Sequence, residues 1–300
     1  MKQLVILSGK GGTGKTSVAA AFADLLSPEN APFKTVLADA DVDASNLELV
    51  LKPSVVEREK FWGGSVAEID SDNCSACGIC AEVCRFDAVS VKDDVYTVDP
   101  IACDGCAACV YQCPNEAISM KEQLAGEWYR SESLYGPLFH AMLIPAQENS
   151  GKLVTLVKQQ ARLLALDEAY DLVLVDGPPG IGCPVISAVS GANLALIVAE
   201  PTASGVHDMH RVLETTRHFG VEALICINKA DIYLDGTNKI EEYCRKENIR
   251  MVGKIPFDLM VTESMIHGKP VTSYQSNSPA SLAIRDVWTG VMKALKEQEL

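Results

Sequence analysis

A surplus of positive charge is what this sequence lacks first. Its 300 residues carry 26 Lys and Arg against 40 Asp and Glu, a formal net charge of −14. Non-specific nucleic-acid binding depends on Lys and Arg neutralising phosphates, so no nucleic-acid partner is expected. The last helical stretch, Ala280 to Leu300, ends Lys-Glu-Gln-Glu-Leu and lacks the basic amphipathic character that would hold it on an anionic bilayer. Its apolar positions Leu282, Val287, Val291 and Leu295 are expected to cover a sheet instead. Long hydrophobic runs are missing too: the apolar stretches are of strand length, which argues against a membrane-spanning helix. Met1 to Leu7 runs straight into a glycine-rich loop, so no cleaved leader is expected either. Together these absences predict a cytoplasmic chain without a membrane partner. Disulfides are rare in that compartment, so the eleven cysteines need another use, such as metal. Histidine offers no metal site, because His207, His210, His218 and His267 share no convergent spacing.

A hydrophobic content of 48% does allow a large core, in one big domain or two smaller ones. The segment that organises the chain is Ser8 to Thr16, Ser-Gly-Lys-Gly-Gly-Thr-Gly-Lys-Thr, after the apolar run Leu4 to Leu7. Gly9, Gly11, Gly12 and Gly14 let the backbone turn its N–H groups inward, and the helix expected over Ser17 to Leu26 aims its positive end at the same place. This is a phosphate cradle of the G-x-x-x-x-G-K-[ST] type. In it Lys15 lies along the β/γ-phosphates and Thr16 offers its hydroxyl to Mg²⁺. Lys10, Thr13 and Ser17 complete the expected nucleotide-contacting set.

Cysteine is concentrated between residues 65 and 120. Cys74-x-x-Cys77-x-x-Cys80-x-x-x-Cys84 is repeated 29 positions later as Cys103-x-x-Cys106-x-x-Cys109-x-x-x-Cys113-Pro114. This is the bacterial two-cluster ferredoxin pattern, in which the fourth cysteine of each run ligates the other cluster. The expected ligand sets for two [4Fe-4S] clusters are therefore Cys74, Cys77, Cys80 and Cys113 for one, and Cys103, Cys106, Cys109 and Cys84 for the other. Structural zinc takes two separated C-x-x-C knuckles, so a run of four favours iron and sulfide. Arg85 stands where such runs have proline, which bears on that centre's potential or solvent access. Gly126 to Leu143 reads as two short strands joined by a Gly-Pro turn, with Trp128, Tyr129 and His140 as packing residues.

Two further strands end in carboxylates. Thr35 to Asp39 leads into Asp-Ala-Asp-Val-Asp, and Leu172 to Val175 into Asp176-Gly-Pro-Pro-Gly-Ile-Gly. Carboxylates at the carboxyl ends of strands beside a triphosphate call for a metal or a catalytic role. Asp176 fits the residue that holds Mg²⁺ through water. Ala223 to Ile227 is a strand ending in Asn228-Lys229-Ala230-Asp231, which read literally is a guanine-reading motif.

The loop Lys-Gly-Gly-Thr-Gly-Lys-Thr, with its second lysine Lys10, resembles the deviant phosphate loop of the MinD, ParA and nitrogenase iron protein superfamily. The order of motifs resembles members with an inserted ferredoxin domain. The resemblance implies an α/β fold, a three-layer, mostly parallel sheet interrupted by an α+β ferredoxin module. Residues 1–64 and 121–300 then form the ATPase domain and 65–120 the insertion. It implies a homodimer in which Lys10 reaches the partner's nucleotide, with Asp41 activating water and Asp39 supporting the Mg²⁺ shell or the switch. It also makes the base adenine, contacted by Asn228 and by Pro256 and Asp258 of the loop Ile-Pro-Phe-Asp. The activity implied is ATP hydrolysis to ADP and phosphate, coupled to electron transfer to an unidentified redox protein. The alternatives are an iron-sulfur carrier or a positioning ATPase. Cys183 lies seven residues after Asp176, where the nitrogenase iron protein has a cluster cysteine. With no partner cysteine between 130 and 170, a buried small thiol is the expectation there. Cys226 and Cys244 are expected to be structural.

Overall fold

The computed structural model describes residues 1–27, 33–145 and 150–298. The last two residues of the expected C-terminal helix lie outside the described residues. The chain starts with β1 (Lys2–Ser8), α1 (Lys15–Leu25), β2 (Thr35–Asp39), α2 (Leu47–Leu51) and β3 (Ser54–Ile69). The cysteine-rich part follows as α3 (Ile79–Glu82), β4 (Val89–Lys92), β5 (Val95–Val98), α4 (Ala108–Gln112), β6 (Ile118–Ser133) and β7 (Gly136–Leu143). Strand and helix then alternate through α5 (Ser150–Asp167), β8 (Leu172–Pro179), α6 (Cys183–Val189), β9 (Leu194–Ala199), α7 (Ala203–His218), β10 (Glu222–Asn228), α8 (Leu234–Lys246) and β11 (Met251–Ile255). The helices α9 (Leu259–Ile266), α10 (Val271–Tyr274) and α11 (Pro279–Glu297) close the described chain.

Nine strands of the described residues form one sheet in the order β11-β10-β9-β1-β8-β2-β7-β6-β3. From β11 to β7 every neighbouring pair is parallel. Such strands are covered on both faces and read as continuous apolar runs, and Leu4 to Leu7 at the centre have no exposed surface. Helix α1 buries Val18, Ala19 and Phe22, and the Phe22 ring meets Trp288 of α11 at 4.7 Å between centroids. Of the apolar positions expected of α11, Val287, Val291 and Leu295 are buried, but Leu282 is half exposed and covers nothing. No helix among the described residues is long and apolar enough to cross a membrane.

Two compact units divide the chain. One comprises Met1–Glu59, Trp128–Met142 and Ser150–Leu300; the other comprises Lys60–Glu127 and Leu143–Asn149. The chain thus crosses between units inside β3 and β6, and the boundaries expected at 65 and 120 fall within the second unit. Each of these strands is 16 residues long. The expected Gly-Pro turn is not formed: Gly136 and Pro137 begin β7, and the reversal is made at Leu134 and Tyr135, where Tyr135 N–H donates to Ser133 Oγ.

The second unit repeats itself in its backbone. Residues with positive φ come in pairs 29 apart: Ala76 and Gly105, Gly78 and Ala107, Asp87 and Glu116. Its hydrogen bonds are exchanged in the same way. Asp70 N–H donates to Ala117 O at 2.8 Å while Asp99 N–H donates to Ala88 O at 2.7 Å, so the entry to each cysteine loop is tied to the exit of the other. Between the halves, β4 and β5 form an antiparallel hairpin around Asp93 and Asp94, both in the left-handed region that a tight hairpin turn requires.

Candidate functional site

The phosphate loop runs from the end of β1 into α1. Gly12 and Gly14 have φ of +77° and +96°, values that only glycine takes without strain, and no atom lies within 4 Å of where a Cβ on Gly11 or Gly12 would sit. The cradle is therefore open on the side a phosphate would enter. Lys15 is 5% exposed at the first position of α1, and its Nζ is 4.0 Å from Asp41 Oδ2. Ser17, in the first turn of α1, donates to Met265 Sδ at 3.4 Å.

Three carboxylates meet beside Thr16 and Lys15, and they differ in what satisfies them. Asp39 is fully buried, yet it accepts from Ser45 Oγ at 2.8 Å, Leu47 N–H at 3.0 Å and Asp41 N–H at 3.1 Å. Burial raises its pKa and these donors oppose the rise. Its geometry is that of an anchor for the first residue of α2. Asp41 is raised to about 6 by burial, against the pull of Lys15 and with the repulsion of Asp39 and Asp43. Asp176 is 1% exposed, and neither carboxylate oxygen has a hydrogen-bond partner among the described residues. Burial, then the charge of Asp39, push it up to about 8, with Lys15 and Thr16 opposing. An orphaned buried carboxylate facing the Thr16 hydroxyl fits a divalent cation, which would supply the missing partner.

Lys10 does not extend away from its own subunit here. Its Nζ lies 2.7 Å from Glu200 Oε2, and 3.3 and 3.4 Å from the hydroxyls of Thr202 and Ser204. The other Glu200 oxygen takes Lys229 Nζ at 3.0 Å, and Lys229 also donates to Gly12 O at 3.1 Å. The base-reading residues are similarly engaged with protein. Asn228 Nδ2 donates to Thr13 O at 2.7 Å and its Oδ1 accepts from Lys229 N–H, so Asn228 clamps the phosphate loop. Asp231 Oδ1 accepts from Phe257 N–H at 2.7 Å and fixes the loop containing Pro256. Asp258 caps α9 through Met260 N–H at 2.9 Å and accepts from Ala280 N–H at 3.2 Å. As placed, Asp258 serves helix capping.

One buried network has no signal in the sequence. Glu48 of α2 lies 3.1 Å from His140 Nδ1, and His140 Nε2 is 2.9 Å from Ser131 Oγ. Burial lowers the His140 pKa to about 4, so the ring is neutral. A carboxylate only accepts, which puts the single proton on Nδ1 and leaves Nε2 to accept from the Ser131 hydroxyl. The order of groups is that of a hydrolase triad, but Ser131 has no exposed surface and no substrate can reach it. Its place in the chain gives it another meaning. Glu48 adjoins Leu47, which Asp39 holds, while Tyr129 stacks on His140 at 4.9 Å and has Arg58 over its ring at 5.8 Å. Arg58 and Tyr129 are within two residues of the points where β3 and β6 pass into the second unit.

In the second unit the eight repeat cysteines line two cavities. Cys74, Cys77, Cys80 and Cys113 line one cavity. Cys84, Cys103, Cys106 and Cys109 line another. The fourth cysteine of each run has thus crossed to the other half, and the two crossing thiols accept equivalent bonds, Ala88 N–H to Cys84 Sγ at 3.4 Å and Ala117 N–H to Cys113 Sγ at 3.3 Å. Among the described residues no three Cys, His, Asp or Glu converge on a point as a single metal ion requires. Four sulfurs spread around a cavity fit a polynuclear cluster better than Zn²⁺. Cys183 is exposed at the start of α6 and is not the buried thiol expected, whereas Cys226 and Cys244 are buried. The helix-leading position of α6, after the glycine-rich loop, is what keeps Cys183 at the surface.

Comparison with known proteins agrees with this architecture. The model of the CobQ/CobB/MinD/ParA nucleotide-binding domain matches residues 4–271. The chain belongs to the MinD/ParA family of nucleotide-binding proteins. An uncharacterized member from Methanocaldococcus jannaschii is 37% identical over 287 residues, covering 95% of each chain. The iron-sulfur cluster carrier protein of Pyrococcus furiosus is 25% identical over 173 residues, 52% of this chain and 58% of that protein. Among solved structures, the cell division ATPase MinD of Pyrococcus furiosus superposes with a TM-score of 0.57 at 18% identity, covering 98% of this chain and 99% of its own.

Proposed function

We propose that this chain is an ATP-hydrolysing switch that controls two [4Fe-4S] clusters and passes electrons through them to a redox protein. The observation that carries the reading is the pair of equivalent four-cysteine cavities inserted into a nucleotide-binding fold. When bound, the clusters supply one-electron chemistry, and Mg²⁺ supplies charge neutralisation at the β- and γ-phosphates.

The chain's own residues do the rest. The loop from Gly9 to Thr16 binds the phosphates, with Lys15 compensating their charge, while Thr16 and Asp176 hold the cation. Asp41, at the mouth of the site, orients the attacking water. Lys10 leaves Glu200 to reach the nucleotide of a second copy, where it stabilises charge as an arginine finger does. A rearrangement around Asp39 shifts Leu47 and with it Glu48, whose bond to His140 leads to the two strands that enter the cluster unit. The polar contacts as far as Ser131 of β6 are 3.1 Å or less, and Tyr129 and Arg58 continue the route to β3 at 4.9 and 5.8 Å, which supports a coupling between nucleotide state and clusters.

A test is an anaerobic preparation assayed for iron and for electron transfer with ADP, with a non-hydrolysable ATP analogue and without nucleotide. About eight irons per chain are expected, with Cys84→Ser and Cys113→Ser each losing about half. Equal transfer rates in the three nucleotide states would sink the coupling. A second reading, delivery of a cluster to an apo-acceptor, is favoured by the relatives that are iron-sulfur cluster carrier proteins. Against it, release from either cavity requires displacing four thiolates. Transfer of iron to an apo-acceptor with loss from this chain would establish that reading instead. A positioning role is favoured by the septum site-determining relatives, one of them matched over 95% of this chain, while the acidic charge counts against it.

A further inference from the structure

The two cysteine cavities are copies related by the 29-residue repeat, so any difference between their walls reports a difference between what they hold. Most of the apolar wall is equivalent: Ile69 corresponds to Val98, Ala117 to Ala88 and Ile118 to Val89. Five positions are not; two of them, Gly78 against Ala107 and Ile79 against Ala108, keep the wall apolar, and the other three change its polarity or its cover. Ser75 in the wall of the Cys74/Cys77/Cys80/Cys113 cavity is replaced by Asp104 in the other. Tyr96, whose hydroxyl is 3.1 Å from the Cβ position of Gly78, lines the first cavity where the second has Ala67. Phe86 covers part of the second cavity, while its counterpart Asn115 is not in the wall of the first.

From these differences we infer that the two clusters are unequal in reduction potential, with Asp104 the residue that sets the order. This inference rests on the proposed occupancy by [4Fe-4S] clusters. Reduction of each from the 2+ to the 1+ core adds one electron to an anionic thiolate cluster. A carboxylate in the wall opposes that added charge, and a phenyl cover removes water that would solvate it. A tyrosine hydroxyl in the wall offers a donor that favours it. All three lower the centre held by Cys103, Cys106, Cys109 and Cys84 relative to the other. The charge of opposite sign, Arg85, follows Cys84; it and Asp104 are both exposed, but Asp104 lines the cavity wall whereas Arg85 does not and is flanked by exposed Asp87. The centre held by Cys74, Cys77, Cys80 and Cys113 therefore fills first and retains the electron, and the other is the stronger reductant when both are reduced.

The test is an anaerobic dithionite titration followed by EPR, on the full chain with its iron content measured, for wild type, Asp104→Ser, Ser75→Asp and Arg85→Gln. Wild type is expected to show two one-electron couples separated by at least a tenfold difference in reduction equilibrium, about 59 mV for a one-electron step. Asp104→Ser should raise the lower couple and narrow the gap, Ser75→Asp should lower the upper couple and narrow it, and Arg85→Gln should shift either couple less than Asp104→Ser does. Coincident couples in wild type, an Asp104→Ser shift confined to the upper couple, or a larger response to Arg85→Gln would overturn the inference while eight irons per chain left the occupancy standing. A preparation with no iron, or with zinc, would overturn both.

Discussion

Replacing Asp176 by asparagine should make the nucleotide-free protein more stable at alkaline pH while depriving it of Mg²⁺-dependent nucleotide binding. The carboxylate is buried within β8, where the Thr16 hydroxyl faces it without completing a hydrogen bond, and its pKa is pushed from 3.8 to about 8. Because the folded state holds this proton more tightly than the unfolded chain does, stability falls as pH rises from about 4 to about 8 and is lowest above that. Each tenfold change in proton affinity is worth about 1.4 kcal/mol. Between pH 6 and pH 9 the wild-type chain should thus lose about 2 to 3 kcal/mol through this group. Asparagine keeps the shape and removes the charge, so denaturation midpoints of the two proteins, compared without Mg²⁺ or nucleotide, should diverge in favour of Asp176→Asn by that amount as pH rises. Adding MgADP should then stabilise wild type strongly at pH 9 and the variant weakly. A variant less stable than wild type at pH 9, or a difference independent of pH, would refute the idea that this is a cation site held vacant of protein donors.

Other outcomes follow from the same geometry. Lys10→Ala should leave equilibrium nucleotide binding near wild type and reduce ATP turnover by about 10²-fold or more, the scale of losing a donor to transition-state charge; a fall in binding with unchanged turnover would argue against the role given to it. Asp258→Ala removes the α9 cap and should cost about 1 kcal/mol in a denaturant titration with little effect on nucleotide affinity, whereas a base-contacting role predicts the reverse. Lys158 donates to the carbonyls of Ser187, Ala188 and Ser190 at 2.6 to 2.8 Å, so Lys158→Met should destabilise the chain by about 3 kcal/mol, read from the same titration. His140→Phe should retain iron and basal hydrolysis but abolish any dependence of electron-transfer rate on nucleotide.

Local signals made part of this legible. The phosphate loop and the two cysteine runs are set by residues a few positions apart, and a fixed spacing allows few other geometries. The crossing of Cys84 and Cys113 was expected from the two-cluster ferredoxin pattern and not from the repeat itself. What stayed hidden depends on residues distant in sequence. Asn228 acts on Thr13, Glu200 on Lys10, and Glu48 on His140, 92 positions away, and nothing in periodicity encodes such pairings. The lengths of β3 and β6 were obscured because each changes environment midway and so shows no single alternation. Asn228 and Asp258, expected to contact a base, also bond within the fold, to Thr13 O and Met260 N–H, contacts that their motifs do not signal.

Glu200 gives the isolated subunit a built-in restraint. Two ammonium groups share that one acid, and the loop that would grip the phosphates is fastened to it through both of them. On the role proposed for Lys10, a lysine secured at home would serve a neighbour only by trading one ion pair for another, and a lone copy in dilute solution would idle. Turnover should therefore climb faster than in proportion to protein concentration, and neutralising this acid should leave the molecule active when it ought to be at rest.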